Sequence, residues 1–200
     1  MDRLWAAGWR HFGSYFFRYS HLPKGRTVYH VLPLRVRLSA LAFSRSQRRI
    51  LKKNQDIETR VVPAFVNDAA IALFTRHKQR FDDNIPESLY TFVSQDPAHV
   101  PCECRAVCLY LHGALVGISY LDVGDRATSS VYQCFEPTLS RRSLGIYMII
   151  EALRWSQENG KLLYYPGYAY HEPSHYDYKK AFSGLEGFDW NGVWRPYSGV

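Results

Sequence analysis

Several short runs of this chain carry groups that can handle an activated acyl donor. Ser129–Ser130–Val131–Tyr132 is an apolar, hydroxyl-bearing strand pattern, Glu136–Pro137 ends it, and Ser143–Leu144–Gly145 stands where a helical pattern begins. Tyr164–Tyr165–Pro166–Gly167–Tyr168 and then Tyr178–Lys179 follow that helix. The unpaired amides of a helix start receive a phosphate or another polar part of a donor, so Ser143, Leu144 and Gly145 are donor-binding candidates. Tyr165 and Tyr168 can stack on a base or pack against an acceptor. A Tyr178 hydroxyl can orient or relay a proton while Lys179 neutralises negative charge, which makes these two the catalytic candidates. Acyl transfer is the chemistry such a set suggests. Plainer uses fit the same residues: an N-cap with a close-packed glycine, a packing phenol, a surface ammonium.

The elements that must hold these groups are legible in outline. Cys104–Leu111, Ala114–Asp122 and Ala127–Phe135 alternate as strands around His112–Gly113 and Gly124–Asp125, which spells an antiparallel meander. Ser143 to Glu158 is a helix, with Tyr147, Ile150, Leu153 and Arg154 at helical spacing and Asn159–Gly160 ending it. Lys161–Tyr165 reads as a strand, Glu172 to Phe182 as a helix, and Phe188–Val193 as an edge strand. Upstream, Val28 to Leu38 reads as a strand with Arg35 and Arg37 on one face. Ser44 or Ser46 caps the next helix, Glu58–Val62 is a strand, and Asn67 or Asp68 opens a helix that offers Ile71, Phe74 and Phe81 to the core. Pro86 opens a shorter amphipathic segment near Leu89, Phe92 and Val93. The aromatic and basic run from Trp5 to Tyr19 needs a surface to pack on, and Gly8 and Gly13 weaken any helix there.

Two hundred residues suffice for one sizeable core and exclude a repeat array. No uninterrupted apolar run of 18 residues is present and Arg3, Arg10, His11 and Arg18 break the opening aromatic stretches, so no membrane contact is expected and a cytoplasmic location is. Residues 1–60 hold 13 Lys or Arg against 3 Asp or Glu, a net +10, whereas the whole chain is +7. The basic partner surface therefore lies in the first third, suited to a polyanion such as RNA or to an acidic peptide. Cys102, Cys104, Cys108 and Cys134 lack metal-site spacing and read as reduced thiols, and the histidines at 77, 99, 112, 171 and 175 show no spacing that selects a nucleophilic triad. No metal is expected.

Meander, helix, strand, helix, strand is similar to the order of a GNAT-like acyltransferase core, an α+β (α/β layered) fold with a mixed, mainly antiparallel central sheet. At Ser129–Tyr132, Pro137, Ser143–Gly145, Tyr165, Gly167, Tyr168, Tyr178, Lys179, Phe182 and Trp190 the chain further resembles the aminoacyl-tRNA–protein transferases, the arginyl and leucyl enzymes that extend protein N-termini. A second block, Arg35–Val36, Phe43–Ser44, Ser46–Arg49, Lys52, Asn54 and Asp56, matches that family's basic signature. The resemblance implies transfer of an amino acid from charged tRNA, as co-substrate, to a primary amine, most naturally a protein or peptide beginning with Asp or Glu. It implies a short N-terminal segment, residues 1–43, packed on an aminoacyltransferase core of residues 44–200. Arg45, Arg48, Arg49, Lys52 and Lys53 form a helical stripe that meets acceptor-stem phosphates or the acidic acceptor. Family members carry an N-terminal cysteine-rich module linked with iron–sulfur binding; no cysteine precedes Cys102 here, so no cluster or other cofactor is expected. Two other readings remain: a GNAT-like acyl-CoA-dependent N-acyltransferase, whose pyrophosphate Arg141–Arg142–Ser143–Leu144–Gly145 would cradle with a single glycine, and a catalytically silent RNA-binding relative.

Overall fold

The computed structural model describes residues 1–197. Its elements are α1 (Asp2–Ala6), β1 (Arg10–Phe12), β2 (Tyr15–Phe17), β3 (His21–Lys24), β4 (Thr27–Arg37), α2 (Arg45–Lys53), β5 (Glu58–Pro63) and α3 (Asp68–Lys78). After these come β6 (Cys104–Leu111), β7 (Ala114–Val123), β8 (Ala127–Phe135), α4 (Leu144–Glu158), β9 (Leu163–Tyr170), β10 (Leu185–Phe188) and β11 (Trp194–Pro196). One large sheet runs β11-β10-β4-β9-β8-β7-β6-β5, with β3 paired to β4 and β1–β2 forming a separate hairpin. Every neighbouring pair in it is antiparallel except β8–β9, which is parallel. No described helix is long and apolar enough to cross a membrane.

The meander forms as expected because His112 and Gly113 both take positive φ, 50° and 79°, the conformation that reverses a strand in two residues. Its strands read almost continuously apolar because both faces are covered. Ala106 and Cys108 pack under α3 residues Ala70, Leu73 and Phe74, while Val107 and Leu109 pack under α4. In α4, Leu144, Met148, Ile150 and Leu153 are fully buried. Each such side chain contributes about 1.5–3 kcal/mol of burial.

Several expectations need correction. Ile71 and Phe81 are exposed, because α3 turns Ala70, Leu73, Phe74 and His77 inward and Ile71 falls one position off that stripe. The helix expected over Glu172–Phe182 is only a 3-10 turn at Asp177–Ala181; Pro173 has no N–H, and Ser174 uses its amide on the Asp177 carboxylate at 3.0 Å. The strand after α4 extends to Tyr170, and of the edge strand expected over Phe188–Val193 only Phe188 is strand, the end of β10, the rest being the turn into β11. The aromatic N-terminal run folds as a short helix and a hairpin. β4, which precedes residue 43, is an inner strand between β9 and β10.

Candidate active site

The sheet opens where β8 and β9 meet. They pair at Ala127↔Leu163, Thr128↔Tyr164 and Ser129↔Tyr165 and then part, although both strands continue. Their facing backbone groups beyond that point line a wedge, beside which α4 begins. On the other edge of β9, the register with β4 slips between Leu34↔Gly167 and Val36↔Tyr164, a bulge of one extra residue at Tyr165–Pro166. In a regular strand, residues three apart face opposite ways; the bulge puts Tyr165 and Tyr168 on the same face.

Lys179 reaches this strand from the 3-10 turn. Its ammonium donates to the Tyr168 carbonyl at 3.0 Å and lies 4.8 Å from the Tyr176 ring centroid. Tyr168 stands opposite Pro33 at a position where β4 and β9 exchange no backbone hydrogen bond, so its carbonyl faces away from β4 toward the edge that β8 has left, where Lys179 meets it. Gly167 has φ +93°, and a Cβ there would stand 3.4 Å from Nζ, so glycine supplies both the backbone conformation and the room. Burial, reinforced by the charge of Arg10, pulls the Lys179 ammonium down from 10.5 to about 7. Next to it, burial pushes the Tyr178 phenol up to about 12 while its ring packs against the α4 core. Tyr165 is buried between Trp5 and Trp194, and Tyr168 donates to the Gly8 carbonyl at 2.5 Å and is edged by Phe17 and Tyr19. Tyr165 thus forms the floor rather than an open stacking platform.

The α4 start lies on the wedge's other side. Ser143 is in the left-handed region, φ 57°, and its own amide is spent on the Ser140 carbonyl at 3.0 Å, so it is not the free donor expected. The first closed turn begins with Ile146 and Tyr147 donating to the Ser143 carbonyl, leaving the Leu144 and Gly145 amides without an intrahelical acceptor. Gly145 is also close-packed, since a Cβ would meet Phe135 at 3.2 Å and Gln133 at 3.3 Å.

The basic stripe is clasped to this helix start. Arg142 grips Asp56 with two bonds of 2.7 and 2.9 Å, Asn54 donates to the Arg142 carbonyl at 2.9 Å, and Lys53 donates to the Arg141 carbonyl at 2.5 Å. Ser44 and Gln47 close a reciprocal capping box at the start of α2. Half of the basic signature is therefore scaffold. Arg48 donates to the Phe43 carbonyl, whereas Arg45, Arg49 and Lys52 are exposed and without a partner among the described residues. Beside them a groove of about 450 Å³ is lined by Phe43, Ser44, Lys180, Phe182 and Tyr197, among others.

Residues 70–189 match the model of the arginine-tRNA-protein transferase family's C-terminal region. The chain belongs to this transferase family. It is 32% identical over 166 residues to an aspartate/glutamate leucyltransferase of Xanthomonas oryzae pv. oryzae (strain PXO99A), a match covering 79% of this chain and 66% of that protein. An aspartate/glutamate leucyltransferase of Marinobacter nauticus is 28% identical over 200 residues, covering 98% of this chain and 82% of the relative. The chain thus spans about two thirds of the first relative's length. Among solved structures it resembles FemX, with TM-score 0.57 and 11% identity over 87% of this chain and 60% of that one. It also resembles the GCN5-related glucosamine N-acetyltransferase region of a fungal multi-domain β-N-acetylglucosaminidase, with TM-score 0.51 and 11% identity over 90% of this chain and 20% of that one. The fold is the GNAT-like α+β arrangement.

In this transferase-family chain two functional-looking groups lie outside every motif. Arg10 is buried, with its guanidinium 5.0 Å from the Tyr165 ring centroid and 5.7 Å from that of Tyr168. His11, also buried, meets the Asp122 carboxylate at 2.5 Å through Nε2 and the Gly13 carbonyl at 2.9 Å through Nδ1. No spacing signals a pair 111 residues apart. His11, Cys102 and Asp122 bring ligand atoms within 4.8 Å of one another, the set among the described residues that could hold a metal. Burial and Asp122 push the Cys102 thiol up to about 12, and both ring nitrogens of His11 are already engaged by protein groups, the Asp122 carboxylate and the Gly13 carbonyl. The four cysteines are free thiols. Of the histidines weighed from sequence, His77 is held neutral by burial, its pKa pulled down to about 4, and His171 and His175 are exposed.

Proposed function

We propose that the protein transfers an amino acid, leucine first among the donors to test, from its charged tRNA to the α-amine of a protein or peptide that begins with Asp or Glu. The observation that carries this reading is the wedge between β8 and β9, with Lys179 on one side and the α4 start on the other. The acceptor nitrogen attacks the ester carbonyl carbon; the new C–N bond forms, the C–O bond to the terminal ribose breaks, and a proton passes from the nitrogen to the released ribose oxygen. No enzyme nucleophile is required. Lys179, near 7, holds both protonation states at neutral pH and can take the amine's proton. Tyr178 orients the amine and relays that proton. The Leu144 and Gly145 amides receive a polar part of the donor, with Tyr168 on the strand across the wedge from them. Arg45, Arg49 and Lys52, with Arg141, track acceptor-stem phosphates. The setting is the cytoplasm, where charged tRNA is found, and the transfer chemistry asks for no metal or iron–sulfur cluster.

The test is a mass measurement. Peptides beginning with Asp or Glu are incubated with the protein and either leucyl-tRNA, other charged tRNAs, or acetyl-CoA. A gain of one aminoacyl residue from a charged tRNA supports the reading. A gain from acetyl-CoA alone, or tRNA binding without turnover of any donor, overturns it.

A further inference from the structure

Arg10 is 6% exposed and only part of its guanidinium is used. Nη1 donates to the Trp9 carbonyl at 2.7 Å, while Nε and Nη2 are buried with no acceptor among the described residues. These two groups share one edge of the guanidinium, the side-on fork that meets a carboxylate with parallel bonds. The same edge of Arg60 grips Glu58 at 2.6 and 3.0 Å. At Arg10 the fork is empty. Its surroundings are the Tyr165 and Tyr168 rings, Lys179, and Asp122, whose carboxylate is engaged by His11. A buried cation left in this state destabilises the fold, so something other than stability accounts for it.

We propose that the Arg10 fork binds the side-chain carboxylate of the acceptor's acidic first residue, while Lys179 meets the α-amine of the same residue. This rests on the acceptor class inferred above. Both cations are anchored on one residue: the guanidinium lies over the Tyr168 ring and the ammonium bonds the Tyr168 carbonyl. One Asp or Glu carries its amine and carboxylate a few bonds apart and can bridge them. A guanidinium fork pairs with a carboxylate or a phosphate; here its burial between two aromatic rings favours one small anionic group, while the exposed α2 cations are placed for a nucleic-acid backbone. The side nearest solvent is bordered by Tyr19 and Tyr176, both exposed rings that flank Tyr168 and Lys179.

The experiment uses the full chain, labelled peptides beginning with Asp, Asn, Glu or Gln, and leucyl-tRNA, and reads peptide binding by anisotropy alongside transfer. Wild-type protein is expected to prefer Asp over Asn by at least about tenfold in both readouts, because the amide leaves half the fork unpaired. Arg10→Met should bring that ratio close to one, leave the KM for charged tRNA unchanged, and leave or raise the melting temperature. Arg10→Lys, which keeps charge without the fork, should retain only part of the preference. An undiminished Asp preference in Arg10→Met overturns the proposal. So does an equal loss for Asp and Asn with a lowered melting temperature, which makes Arg10 structural, or a raised KM for tRNA alone, which assigns the fork to the donor. If Arg10→Met does not fold, the Arg10→Lys ratio decides. Arg10-dependent binding of Asp peptides without transfer from any donor leaves the carboxylate site standing and removes the transferase reading.

Discussion

The molecule carries two cationic regions that differ in everything except sign. On α2, Arg45, Arg49 and Lys52 project into water from a helix whose frame is fixed by the Ser44–Gln47 cap and the Arg142–Asp56 clasp. Around Tyr168, Arg10 and Lys179 are set among aromatic rings, and burial pulls their pKa values down to about 10 and about 7. Exposed cations act through many weak, screened contacts, the behaviour suited to a polyanion. Cations withdrawn from water interact strongly with one small ligand, and their protonation becomes adjustable. Position in the dielectric, more than charge count, separates the two roles.

That contrast predicts a graded set of failures. Lys179→Met should lower saturated transfer by about 10²–10³-fold with charged-tRNA affinity unchanged, measured in single-turnover assays. The wild-type rate should rise as pH passes through about 7, as Lys179 loses its proton. Arg10→Met should move that midpoint upward, because Arg10's charge helps to depress it; the other groups against the ammonium are the Tyr168 carbonyl and the Tyr176 ring. Stability moves in the same direction with pH. Between about 7 and the ordinary 10.5 the unfolded chain holds more protons at this lysine than the folded one, so the native state gains stability as pH rises through that window. Lys179→Met should therefore raise the melting temperature most below pH 7, and the gain should fade toward alkaline pH.

The exposed region fails differently. Replacing Arg45, Arg49 and Lys52 together by Ala should weaken charged-tRNA binding by about 10–100-fold at low salt and flatten the log–log salt slope by about 2–3, without changing peptide KM. A salt-independent loss would move these residues out of phosphate contact. Tyr178→Phe should lower the saturated rate by roughly tenfold while sparing both affinities; an unchanged rate returns the phenol to packing. Ser44→Ala should cost about 1 kcal/mol in denaturant unfolding, with the remaining signature cations still binding tRNA.

What could be read from sequence followed local rules. The meander was legible because its apolar strand runs and the His112–Gly113 turn agree, and α4 because its apolar spacing runs to a glycine stop at Gly160. The basic signature located α2, yet its division into clasp and free cations depends on Arg142 and Asp56 meeting across the fold. Arg10 gave no signal: one arginine in an aromatic run acquires meaning only when a bulge in a distant strand turns Tyr165 and Tyr168 to the same side. The helix expected from Glu172 failed for a local reason, since Pro173 and the Ser174–Asp177 turn divert the backbone before a helix can close.

β4 has one further consequence, for the protein as it leaves the ribosome. This strand emerges early, but its neighbours β9 and β10 are synthesised far later, so beyond the short pairing with β3 the nascent chain exposes an apolar segment with bare edges. Pro33 interrupts its run of N–H donors, and Arg35 and Arg37 place two charges on one face, the features that discourage premature pairing between chains. The two arginines find late employment. Arg35 and Arg37 converge on Glu186 of β10, so the guards of the unfinished chain become fittings of the finished one.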